Sequence, residues 1–186
     1  LKKNARTLRR EHNRLFLIQV KSTISRFILG RRKAVAHGGA WKVAYADFVT
    51  MTDDTVKQIL DALKEGGADQ NTLFIFTSDN GCSPEADFAE LEEQGHDPSS
   101  IYRGHKADIF EGGHRVPFIV RWPARVKAGT SCDDPTCLTD LLATMAEILS
   151  QKLPADAGED SVSMLPNLVG EPKQPVREAI VHHSIN

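Results

Sequence analysis

A carboxylate and an amide carbonyl stand on successive residues in Asp79-Asn80-Gly81, directly after a short apolar run. Two such oxygens aimed at one point make hard ligands, which select Ca2+ or Mg2+ over zinc. The same three residues also make an ordinary turn, because Asp and Asn bond to nearby backbone and Gly accepts a positive φ. A second feature must therefore stand beside the pair for it to be a site. That feature is YRGHKADIFEGGHRVP, Tyr102 to Pro117, which sets Arg103, His105, Lys106, His114 and Arg115 among glycines just ahead of another apolar run. Cations converging near a metal suit an anionic substrate, since sulfate and phosphate oxygens need positive charge where water is scarce. Gly104 and the pair Gly112-Gly113 let backbone approach closely.

Other reactive side chains fit that chemistry less well. Glu111 and Arg115 have the spacing of a structural ion pair. His105 and His114 have no third soft ligand placed to complete a zinc site, so they read as partners or surface residues. His182 and His183 resemble a metal pair, but adjacent residues on a strand face opposite sides. The three cysteines, Cys82, Cys132 and Cys137, form neither a dense disulfide framework nor a C-x-x-C pair. Cys132 and Cys137 would bridge only if a turn brought them together, and buried or half-buried thiols are the plainer reading.

The elements that must position these residues follow from periodicity. From Tyr45 on, Phe48, Val49, Val56, Ile59, Leu60 and Leu63 recur at three- and four-residue steps, which predicts an amphipathic helix ended by Gly66-Gly67. Leu73 to Thr77 is a short apolar run that predicts a buried strand, with Asp79 and Asn80 at its carboxyl end. Helix, short loop, buried strand and polar turn together predict an α/β layered domain with a mainly parallel sheet flanked by helices. In that architecture ligands sit outside the carboxyl ends of strands. The acid-rich stretch from Ser83 to Ser100 reads as a long loop, of a kind that is usually a lid, a binding loop or disordered. A second strand is expected over Val116 to Pro123, a second helix over about Pro135 to Leu149, and a last strand over Ala179 to His182. Residues 1–44 show no sustained period, and a strand near Leu15 to Val20 is the one element expected there.

With 186 residues, 40% of them hydrophobic and 26% charged, the chain is long enough to bury a core. No stretch approaches the roughly 18 to 20 apolar residues of a membrane span, and the basic N-terminus lacks the apolar core of a signal peptide. The net charge of -2 hides a split: residues 1–50 hold 12 Lys/Arg against two acids, leaving 11 against 23 beyond them. A basic arm of that kind can meet nucleic acid or an acidic partner. Here it lacks interleaved aromatics or a reader motif, so no nucleic acid partner is expected. Because it opens on Leu1 and stops directly after the expected last strand, the chain reads as a portion of a longer one.

YADFVTMTDDTVKQILDALKEGGADQNTLFIFTSDNG, then RGHKADIFEGGHRVPFIVRWPARVKAG, then CLTDLLATMAEIL resemble the arylsulfatase-type sulfatases of the alkaline-phosphatase-like superfamily. The resemblance runs from about Tyr45 to Asn186. It implies a C-terminal portion of a sulfatase catalytic domain over 45–186, with 1–44 a basic, poorly matching segment that is disordered or translated in a shifted frame. It implies that Asp79 and Asn80 ligate a divalent ion, usually Ca2+ with Mg2+ as the variant. Lys106 would contact the sulfate, with Glu111, Gly112, Gly113 and Arg115 as scaffold and His105 in support. The family hydrolyses a sulfate monoester through a formylglycine hydrate, and its substrates are sulfated small molecules or carbohydrates. A periplasmic, secreted or lysosomal parent is implied as well.

The departures have consequences too. The family makes formylglycine from the cysteine of a C-x-P-S-R motif upstream of the Asp-Asn pair. That motif, a pair of metal-binding aspartates and a histidine in an H-x-P context have no counterpart here. Cys82-Ser83-Pro84 imitates the motif but has Ala86 where the arginine belongs, and it follows Asp79-Asn80 instead of preceding them. Cys82 is thus not the expected nucleophile, and the chain by itself is expected to be inactive. Two alternatives stay open. One is a phosphodiesterase or phosphonate hydrolase of the same superfamily, which would commonly use Ser or Thr as nucleophile. The other is a non-catalytic remnant with a basic anion-binding arm.

Overall fold

A computed structural model describes residues 14–20, 41–93, 95–170 and 174–183. Three strands, β1 (Arg14–Val20), β2 (Thr72–Ser78) and β3 (Phe118–Arg121), form one sheet in the order β1-β2-β3. The helices are α1 (Trp41–Glu65), α2 (Phe88–Glu93), α3 (Glu111–His114), α4 (Asp140–Ile148) and α5 (Leu165–Val169), with a 3-10 turn at Pro84–Ala86. The architecture is α/β, as expected. The described chain divides into two compact units, and each strand passes from one unit into the other.

The unit holding 75–120 also takes in α1 and residues 179–183. In α1 the helical period is realised: Phe48, Thr52, Val56, Ile59 and Leu60 are half-buried and Leu63 is buried. The helix ends in a Schellman motif, in which Ala68 N donates to Leu63 O and Gly67 N donates to Lys64 O, at 2.9 and 3.0 Å. β2 is largely buried, with Ile75 at 0% and Thr77 at 2% exposure.

The other unit holds 70–74 and 121–178. Its core takes in Thr72, Leu73, Phe74, Trp122, Thr144, Met164 and Leu165. Trp122 Nε1 finds its partner in Asn71 Oδ1 at 3.2 Å, so the largest buried ring leaves no polar atom unpaired.

Three expectations need correction. The helix expected from Pro135 begins at Asp140, because Asp140 Oδ2 accepts from Cys137 N and Asp140 N donates to Cys137 O, closing a tight turn first. The stretch 83–100 is not a plain loop: Pro84 opens the 3-10 turn, Asp87 Oδ1 accepts from Glu90 N, and Leu91 of α2 is buried. Residues 179–183 form no strand. Ala-Ile-Val suits one, but a strand exists only where its backbone pairs, and this segment joins neither β1 nor β3 at the edges of the sheet.

Candidate active site

The sequence-expected site residues all fall in the unit holding 75–120. β2 delivers the chain to Ser78, whose hydroxyl donates to Asn80 O at 2.9 Å and closes the turn. Asn80 Nδ2 donates to Gly81 O at 2.9 Å. The amide nitrogen is thereby committed to backbone, and Oδ1 is left as the acceptor. Asp79 is exposed and makes no hydrogen bond or ion pair among the described residues. At the end of a buried strand stand two carboxylate oxygens and one amide oxygen, a donor set that fits a hard divalent cation. Among the described residues no cluster of three or more His, Cys, Asp or Glu accompanies them. Asp79 and Asn80 by themselves are too few ligands to complete such a site.

Gly81 is fixed by crowding. Its N–H donates to Gly113 O at 2.9 Å, and a Cβ at this position would collide with the Gly112 carbonyl. The Lys106 loop meets the same turn through main chain, since Lys106 N donates to Cys82 O at 2.9 Å. Gly112 N in turn donates to Arg103 O at 2.8 Å. These three backbone bonds join the Asp79-Asn80 turn, the lysine loop and α3 into one frame. Cys82 enters the site through its carbonyl, and its thiol lies 3.9 Å from Ser83 O.

Lys106 is half-buried and sits between two residues of left-handed backbone, Gly104 (φ 83) and Ala107 (φ 79). An alanine there is strained by about 1 kcal/mol or more, a cost that surrounding contacts must hold in place. Asp108 supplies much of that hold, accepting from His105 N at 3.0 Å through Oδ2. His105 Nδ1 lies 3.0 Å from Lys106 O and 3.5 Å from Asp108 Oδ2, and its ring packs against Phe88 of α2 at 5.2 Å. A carbonyl only accepts, so Nδ1 carries the proton in this arrangement. His105 is a brace of the lysine loop.

Glu111 and Arg115 pair at 2.7 Å, with both side chains more than half exposed. Solvent screens such a pair, so it adds little to stability. Arg115 also lies over the Tyr102 ring, and Arg103 lies 3.7 Å above the Phe110 ring. Sequence reasoning missed Asp108, although a short polar residue three after His105 is an Asx-type turn signal. It also missed the stacking of His114 on His182, with ring centroids 4.0 Å apart, because 68 residues separate the two.

A family model for sulfatases matches residues 42–151, more than half of the chain. The chain belongs to the sulfatase family. Among curated relatives, N-acetylgalactosamine-6-O-sulfatase of Bacteroides thetaiotaomicron is 39% identical over 145 residues, covering 75% of this chain and 28% of that protein. Human steryl-sulfatase is 37% identical over 139 residues, covering 75% of this chain and 24% of that one. A solved structure from work on glycosaminoglycan metabolism by Bacteroides thetaiotaomicron superposes with a TM-score of 0.64 at 39% identity, over 69% of this chain and 27% of its own. The chain thus spans about a quarter of the length of the sulfatases it matches. Among the described residues, no helix is long and apolar enough to cross a membrane.

Proposed function

We propose that this chain supplies part of the active site of a sulfatase that hydrolyses a sulfate monoester. The carrying observation is the shared backbone frame, in which Gly81 N bonds to Gly113 O and Lys106 N bonds to Cys82 O. On that frame Asp79 and Asn80 Oδ1 would hold Ca2+, or Mg2+ in its place, and Lys106 would meet the sulfate. When bound, the cation polarises sulfate oxygens as a Lewis acid. The chain's own work would be to present Asp79 uncommitted, to leave Asn80 Oδ1 available by tying its amide nitrogen to Gly81 O, and to set the Lys106 backbone between two left-handed residues. The nucleophile, formylglycine in this reading, comes from a C-x-P-x-R cysteine outside these residues.

The names of the relatives favour sulfate over phosphate, and the 39% match to a carbohydrate 6-O-sulfatase supports a sulfated carbohydrate before a sulfated sterol. Calorimetric titration of the 186-residue chain with Ca2+ tests the cation half. Weak binding is expected, lost in Asp79→Ala and kept in Lys106→Ala; binding untouched by Asp79→Ala would refute the assignment. In the whole parent enzyme, Lys106→Ala is expected to lower kcat by about 10²-fold or more, the usual scale for one charge-stabilising donor.

A further inference from the structure

The reading of Asp79 and Asn80 as cation ligands leaves open what keeps Gly113 pressed against Gly81. Gly113 is followed by His114, the last residue of α3, and His114 Nε2 is buried without a hydrogen-bond partner. What the ring does meet is His182, whose own ring stacks on it at 4.0 Å between centroids and 16° between planes. Residues 179–183 take no regular structure, and the stack is their one interaction of that kind among the described residues of this unit.

The geometry points to His182 as a positioning residue for the cation-binding turn. Its ring clamps His114, His114 fixes the Gly112-Gly113 backbone, and Gly113 O holds Gly81 N one residue beyond Asn80. The coupling runs through one ring contact, the His114-Gly113 main chain, the Gly113 O–Gly81 N hydrogen bond and the main chain back to Asn80, so a small shift at His182 reaches Asp79 and Asn80 without any contact to a ligand. Burial, followed by the charge of His114, pulls His182 below its ordinary value of 6.5, against the opposite pull of Glu111. A neutral ring is therefore favoured at neutral pH, the form that stacks on a second imidazole without charge repulsion. His182 and His183 are both exposed, but His183 has no ring partner among the described residues, which makes it the natural control.

The test is amide hydrogen exchange at Gly81, read by NMR on the 186-residue chain together with Ca2+ titration. His182→Ala is expected to speed exchange at Gly81 about tenfold and to weaken Ca2+ binding, with His183→Ala leaving both unchanged. His182→Phe keeps a flat ring and is expected to restore both to near the starting values, which a loss of mere bulk would not explain. Gly81 exchange unaltered in His182→Ala, or equally fast in the Phe and Ala variants, would overturn the proposal. Faster exchange in a chain that binds no Ca2+ would support the brace while removing the cation reading on which its purpose rests.

Discussion

Asp79 and Asn80 differ in what the backbone has already taken from them. Asn80 has committed its amide nitrogen to Gly81 O, whereas Asp79 keeps both oxygens. The residue between this pair and the lysine loop is Gly81, and its lack of a side chain is a packing requirement. Gly81→Ala would drive a methyl group into the Gly112 carbonyl, and backbone cannot swing aside as a side chain can. The expected loss is about 1 to 3 kcal/mol, the usual cost of overpacking, together with the loss of cation binding. Urea denaturation measures the first and calorimetry the second. Gly66→Ala, where a Cβ would meet Ala62 O at 3.2 Å, is the milder companion and should cost less.

Among the elements, α4 shows what sequence periodicity reads well and what it misses. The apolar spacing of Leu138, Leu141, Met145 and Ile148 made a helix legible, yet the residues of α4 that are fully buried are Asp140 and Thr144. Their positions depend on partners far along the chain. Asp140 accepts from Arg177, Val162 N and Cys137 N, while Thr144 Oγ1 accepts from Met164 N and donates to Asp140 O. The same reason separates the other elements. α1, β1, β2 and β3 were legible because each carries its own period or apolar run, and the Asp79-Asn80 turn because it ends one. Ala179 to His182 were misread as a strand because composition suits one while the backbone pairs with no described strand, and the His114–His182 stack has no local signal.

The Asp140 network also makes a pH prediction. Burial alone would raise this carboxyl, but the Arg177 bond and the two backbone N–H bonds outweigh it and hold the group below its ordinary 3.8. A lowered carboxylate contributes stability that is present above its unfolded value and lost as pH falls through the folded one. Arg177→Met, which leaves a buried carboxylate short of its charge partner, is expected to cost about 3 kcal/mol at neutral pH. It should also flatten the acid limb of stability below pH about 4, measured by chemical denaturation across that range. Equal acid limbs in the two proteins would refute the role of the pair.

For the molecule as a whole, the charge split and the short span against its relatives bear on what the chain does alone. Its sequence holds no C-x-P-x-R motif, and the described residues offer no complete metal cluster. The 186-residue chain is therefore expected to turn over neither a chromogenic aryl sulfate nor a phosphodiester, while still binding Ca2+ weakly. Turnover that survives Lys106→Ala would show a different chemistry. The frame of main-chain bonds at Gly81, Lys106 and Gly112 carries a final consequence for how such a site withstands sequence drift. N–H and C=O groups are common to almost every residue, so most neighbouring side chains are free to diverge without dismantling the frame. The positions denied that freedom are Gly81, Gly112 and Gly113, where any side chain would strike backbone. A saturation library scored for folding should be tolerant around the turn and intolerant at those three glycines, so that the memory of the site lies in places with no side chain to lose.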